Sequence, residues 1–146
     1  MPTILYTSSL ENIRVDQLRG GFFDGWPNPP SPEIHLRMLQ DSYRVWLALD
    51  EETNQVVGFA QAISDGVLTA FIPLLEVLVA YHKQGIGTAL MQRMLESLDH
   101  LYSIDLVCDE DVIPFYERLD MRPETAMMSR NFDNQSGGFQ PNKEQS

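Results

Sequence analysis

The period of apolar and polar positions changes several times along the chain, and each change predicts an element. Ile4–Thr7 fits a first strand, and residues 15–23 read as a short helix stopped around Gly20-Gly21. Gly25, Pro27, Pro29 and Pro30 make the next stretch a loop, because neither residue type continues a regular element. Ser31 then offers an N-cap and Pro32 a first helical position. The helix they open extends to about Gln40, with Ile34, Met38 and His35 toward the inside.

Residues 43–49 and 55–64 are strand-like runs joined by the polar turn Asp50-Glu51-Glu52-Thr53-Asn54, which predicts a hairpin. Asp65-Gly66 is a second turn signal, and the apolar run 67–80 after it predicts a third strand of the meander. Such a run is expected to be covered on both faces. Leu90, Met91, Met94, Leu95, Leu98 and Leu101 recur at helical spacing, with Gln92, Arg93, Glu96 and Asp99 on the other side. A buried strand over 104–108 follows, then a short helix over 112–119 with Asp111 as N-cap and Pro114 in its first turn. A last strand or two over about 124–130 closes the domain. The result is an α/β fold, a mixed sheet covered by helices.

The chain's 146 residues fit one domain, residues 1–130, while 131–146, rich in Asn, Gln, Ser and Gly, read as a disordered tail. Composition then removes several functions. One cysteine, Cys108, excludes an internal disulfide and a cysteine-rich metal site, and no His, Cys and carboxylate spacing suggests a metal. A net charge of −11 argues against nucleic acid as a partner and mildly favours a cationic ligand. No basic segment followed by an apolar run opens the chain, and the most apolar stretch is too short to span a bilayer. The expected location is cytoplasmic, with no membrane partner.

The decisive segment is Gln84-Gly85-Ile86-Gly87-Thr88, where a long strand gives way to a glycine-rich turn and then a helix. The first N–H groups of a helix lack internal partners, and the helix dipole adds positive potential, so an anion binds there readily. Glycines let a phosphate approach the backbone. A lone Gly-x-Gly also simply starts helices, and a nucleotide-binding protein can use the same turn. Further on, Val112-Ile113-Pro114-Phe115-Tyr116-Glu117-Arg118-Leu119 places Phe115 toward the core and lets the Tyr116 hydroxyl face a cleft.

Together the strand Leu75-Glu76-Val77-Leu78-Val79, the stretch from Tyr81 to Met91 and the Phe-Tyr-Glu-Arg-Leu helix resemble the GNAT acetyltransferase superfamily. The resemblance runs from about Ile4 to Arg130. It implies a single-domain, mostly antiparallel mixed sheet flanked by helices, and an N-acetyltransferase that uses acetyl-CoA as cosubstrate. It also implies that Val77, Leu78 and Val79 pair with the pantetheine arm. The pyrophosphate would then lie in a cradle of His82, Lys83, Gln84, Gly85, Ile86, Gly87 and Thr88, and Tyr116 would protonate the departing thiolate. His82 stands where the family usually has Arg or Gln, and Asp109, a further cofactor contact, where Asn is frequent.

Glu76, a carboxylate in an apolar strand, is the candidate base that frees the amine for attack; Asp109, Asp111 or a water chain are alternatives. Phe22, Phe23 and Trp26 either shape an acceptor pocket or pack their loop. Cys108 reads as a small buried hydrophobe, and His35 and His100 as surface or helix-end residues. The acceptor is an amine, small-molecule or peptide, and a homodimer is an open expectation. The alternative function is a non-catalytic acyl-CoA-binding or sensing module of the same fold.

Overall fold

The computed structural model describes residues 2–138. Five strands, β1 (Ile4–Thr7), β2 (Arg44–Asp50), β3 (Gln55–Ser64), β4 (Thr69–Val77) and β5 (Ser103–Asp105), form one sheet in the order β1-β2-β3-β4-β5. The first four run antiparallel; β5 joins β4 in parallel, which its long crossover connection permits. That connection contains α2 (Ile86–Ser97).

Alternation along β2 feeds two cores. Val45, Leu47 and Leu49 enter one with Leu18, Phe22, Phe23, Leu39 and Phe59; Trp46 and Ala48 face the other side. There α2 lays Leu90, Met91 and Met94 onto the sheet, buried as their spacing predicts, with Ile86 buried at its first turn. Close approach depends on Gly58, where a Cβ would stand 3.1 Å from Leu90 and 3.3 Å from Ile86. On the first face sits α1 (Pro32–Gln40), opened by Ser31, whose Oγ accepts from the Ile34 N–H at 3.2 Å.

Several expectations need correction. Residues 15–23 form only a 3-10 turn, Val15–Leu18; the Gln17 amide is drawn to the Asn54 carbonyl, and Phe23 lies in the left-handed region at φ 65°. The third strand is shorter than its apolar run. Val67 and Leu68 belong to a turn whose N–H groups bond Asp65 Oδ1, and Val79–Tyr81 is a 3-10 turn. Nor is β4 covered on both faces, for Phe71 stays 41% exposed. The strand expected over 104–108 is β5, short and only half-buried. The helix after it, α3 (Ile113–Glu117), is preceded by a 3-10 turn capped at Asp109 rather than by an Asp111 cap.

No strand forms over 124–130, where the chain is exposed and, among the described residues, unpaired. Residues 131–138, the start of the expected tail, include a 3-10 turn, Phe132–Asn134, docked on the loop at Asn28. The rest, 139–146, lies outside the described residues. His35 is a core residue, 1% exposed and enclosed by Phe22, Phe23 and Phe59, while its Nε2 has no hydrogen-bond partner among the described residues. Burial lowers its pKa to about 4.

Candidate functional site

β4 and β5 part company early. They pair only from Thr69 to Phe71 against Ser103 to Asp105; β4 then runs on to Val77 with no strand on that side among the described residues. A notch opens between the upper half of β4 and the chain leaving β5. Its backbone N–H and C=O groups on the β4 edge are available to an extended ligand, as on any free sheet edge.

At the top of the notch the backbone turns through residues 82–88. Lys83 and Gly85 are both left-handed, at φ 62° and 79°. Alternation of this kind points successive N–H groups into one concavity, an arrangement suited to anions. Among the described residues, none of the N–H groups from Lys83 to Thr88 has an acceptor, and no side chain caps α2. A buried Ile86 and an Ala89 N–H to Gly85 carbonyl bond of 3.0 Å fix the helix start. Gly87 lies beside Phe115 of α3 and Val77 of β4, at 3.7 and 3.9 Å from where its Cβ would be. One contact thus brings turn, strand and α3 together.

His82, in the same turn, places Nε2 at 2.7 Å from the Val77 carbonyl. A carbonyl only accepts, so Nε2 carries the hydrogen and the neutral ring offers Nδ1 as an acceptor. Donation to a phosphate from Nδ1 therefore requires the imidazolium. Leu78 is half-buried against the first core and Val79 is exposed in the 3-10 turn, so of the expected trio only Val77 is in the strand. Asp109 is exposed at the start of the 3-10 turn before α3.

Tyr116 is half-buried on α3, its ring edge-on to Phe115 with centroids 4.9 Å apart. Its hydroxyl has no hydrogen-bond partner among the described residues. Burial raises its pKa, and the neighbouring Cys108 adds to the rise, so the phenol stays protonated at neutral pH. Glu76 points to the opposite face and accepts from the Phe23 N–H at 2.9 and 3.2 Å through its two oxygens. Burial raises its pKa, the Phe23 bond opposes this, the nearby Asp24 raises it further and His82 lowers it. Glu76 is therefore already an anchor for the strained backbone at Phe23. Carboxylate lone pairs remain free for a second partner.

The three aromatic acceptor candidates separate. Phe22 and Phe23 pack into the core, where their edges meet His35 and Phe59. The left-handed turn at Phe23 sends both rings inward, so of the three only Trp26 borders the large open groove of about 1790 Å³ beside β5, which Tyr116 and Cys108 also line. Sequence reasoning missed one positioning contact. The Tyr81 hydroxyl donates to Asp50 Oδ2 at 2.6 Å, tying the approach to the 82–88 turn to the end of β2. A carboxylate closing an otherwise apolar strand was the available signal.

Known proteins sharpen these observations. A family model described as acetyltransferase (GNAT) family matches residues 9–121. A crystal structure from Deinococcus radiodurans, provisionally assigned as an acetyltransferase, is 48% identical with a TM-score of 0.87, covering 91% of this chain and 92% of that one. A GNAT-family acetyltransferase from Streptococcus pneumoniae is 27% identical, TM-score 0.69, over 90% and 98% of the two chains. GCN5-related N-acetyltransferase 1, chloroplastic, of Arabidopsis thaliana is 30% identical over 118 residues, 79% of this chain. The chain spans 59% of that relative's length and 34% of the related N-acetyltransferase 3 from the same plant.

Proposed function

This chain belongs to the acetyltransferase (GNAT) family, and from that premise we propose that it moves an acetyl group from acetyl-CoA to a primary amine by direct attack. The observation that carries the reading is the notch between β4 and β5 beside a turn of unbonded N–H groups. An extended arm and a charged diphosphate on one ligand match those two features in chemistry and in order.

Acetyl-CoA supplies the activated acetyl thioester. The N–H groups of Lys83 to Thr88 hold its pyrophosphate, with the left-handed Gly85 letting the anion reach the backbone. The free edge of β4 up to Val77 pairs with the pantetheine. As the amine nitrogen bonds to the thioester carbonyl, the carbon–sulfur bond breaks and Tyr116 gives its proton to the thiolate. The amine's own proton leaves to Glu76, directly or through water; the raised pKa of that carboxyl suits a base closer to neutrality. A chain of net charge −11 favours an acceptor that is cationic before it loses that proton.

Calorimetry with CoA and release of free thiol across a panel of amines test the reading. Gly87→Val places branched carbons against Phe115 and Val77, where turn, β4 and α3 meet. CoA affinity should fall at least about tenfold, or about 1.4 kcal/mol, in a folded protein. Unchanged affinity would sink the cradle assignment. CoA binding without thiol release for any amine would leave a binding module and remove the transfer.

A further inference from the structure

The cradle over residues 83–88 begins on a residue that resists its own conformation. Lys83 carries a Cβ and still lies in the left-handed region at φ 62°. Such a backbone costs free energy and persists only where the surroundings over-determine it. Beyond it, Gly85 takes φ 79° without that cost, and the buried Ile86 seats the helix. Ahead of it the hold is thinner. The Tyr81 and His82 N–H groups bond the Leu78 and Val79 carbonyls at 2.8 and 3.1 Å, and His82 Nε2 bonds the Val77 carbonyl. All three close on residues 77–79, in the same stretch of chain. Among the described residues, only one hydrogen bond from residues 79–83 reaches another strand: the Tyr81 hydroxyl donates to Asp50 Oδ2 at 2.6 Å.

Asp50 is a firm anchor. It ends β2, which lies between β1 and β3, and it stands in register with Ile4 and Gln55. It is 4% exposed, and its Oδ1 accepts the Glu52 N–H at 2.9 Å. The Tyr81 hydroxyl, and after it the Glu52 N–H, hold its carboxyl below the ordinary carboxylate range, so it is charged at neutral pH. A hydroxyl on a carboxylate makes a short, charge-assisted bond, stronger than the neutral bonds beside it. The Tyr81 ring meanwhile packs on the cluster that contains Ile86, so one residue joins β2 to the start of α2.

We propose that Asp50, acting through the Tyr81 hydroxyl, is a positioning residue that keeps the N–H groups of Lys83 to Thr88 aimed into their concavity and so sets the grip on a diphosphate. Donors aimed before the ligand arrives need no ordering by it, and affinity gains what that ordering would have cost. The effect is local, since neither Asp50 nor Tyr81 lines the groove that Tyr116 borders. That the diphosphate is that of acetyl-CoA rests on the function proposed above.

Two thioester donors separate this role from a general loosening of the fold. Acetyl-CoA has the diphosphate; S-acetylpantetheine has the same thioester and arm without it. Tyr81→Phe keeps the ring and its packing. With acetyl-CoA it should raise KM at least about tenfold and leave kcat within about twofold. With S-acetylpantetheine, kcat/KM should stay within about twofold of wild type. Asp50→Asn retains an acceptor oxygen without the charge, so its KM for acetyl-CoA should fall between those of wild type and Tyr81→Phe. Added to Tyr81→Phe, it should change that KM by less than about twofold, because the path through the hydroxyl is already cut. Equal losses on both donors, an unchanged KM for acetyl-CoA, or a further rise in the double variant overturns the proposal. Wild-type protein that treats the two donors alike would strike the cradle and the function with it. A wild-type preference for acetyl-CoA that Tyr81→Phe retains in full strikes this inference alone.

Discussion

Tyr116→Phe should lower kcat by about 10²–10⁴-fold while leaving CoA affinity and thermal stability nearly unchanged, because only the proton donor is removed. The ring keeps its edge contact with Phe115, and the hydroxyl gives up no hydrogen bond within the described chain. Burial and Cys108 raise the phenol's pKa, which keeps the proton in place at neutral pH until the thiolate needs it. The high-pH limb of wild-type activity should therefore come from ionisation of the phenol, and that limb should vanish in the variant while the low-pH limb set by Glu76 and the amine stays. A more acidic leaving thiol should shrink the difference, since a better leaving group needs less protonation. Stopped-flow or steady-state thiol release measures all three. Wild-type turnover by the variant would assign protonation of sulfur to water or another group.

The second large effect is on stability and comes from His35. Its folded pKa of about 4 lies below the ordinary 6.5, so between those values the unfolded chain takes a proton that the folded one refuses. Stability is fully present above about pH 6.5 and is lost as pH falls toward 4. At about 1.4 kcal/mol per unit, the loss comes to about 3 kcal/mol. Glu76, whose pKa burial raises, works in the opposite sense above pH 4.5, so the wild-type curve alone is ambiguous. Comparison with His35→Leu isolates the term. Urea unfolding between pH 7 and 4 should give a shallower decline for the variant, by about one proton. Parallel curves would mean that His35 finds a proton acceptor on folding.

What could be read from the sequence follows from where periodicity has force. α2 was legible because Leu90, Met91 and Met94 must share a face, and the hairpin because the polar run after Leu49 signals a turn, which the structure forms over Glu51 to Asn54 with Asp50 ending β2. The turn of the candidate site was legible for a related reason. Glycines at its two key positions are a property of the backbone, and the chain spells the backbone out directly.

Failures have a common origin in partners that periodicity does not encode. The apolar run at Val79 reads as strand, but β4 ends where the Leu78 N–H has taken the Val57 carbonyl and the chain tightens into a 3-10 turn. Phe22 and Phe23 read as the end of a short helix, shaping a pocket or packing the loop, and the left-handed bend held by Glu76 turns them inward. His35 falls on the inner face by spacing, yet nothing in spacing says that three phenylalanine rings will surround it. Residues 124–130 read as strand, and composition cannot say that no strand among the described residues pairs with them.

The cradle from Lys83 to Thr88 is made of peptide groups, and peptide groups are the same in every protein. Its chemistry is therefore inherited through shape and survives most changes of letter. Lys83, already left-handed, would be replaced by Asn or Gly with no loss of a donor. Gln84 contributes only an N–H that any residue but proline carries. Constraint falls instead on Gly85, through its φ, on Gly87, through its contact with Phe115 and Val77, and on Ile86, through its burial beneath the helix. Over long divergence such a site would keep its grip while its spelling drifts, leaving little more than two glycines around an apolar residue to mark it.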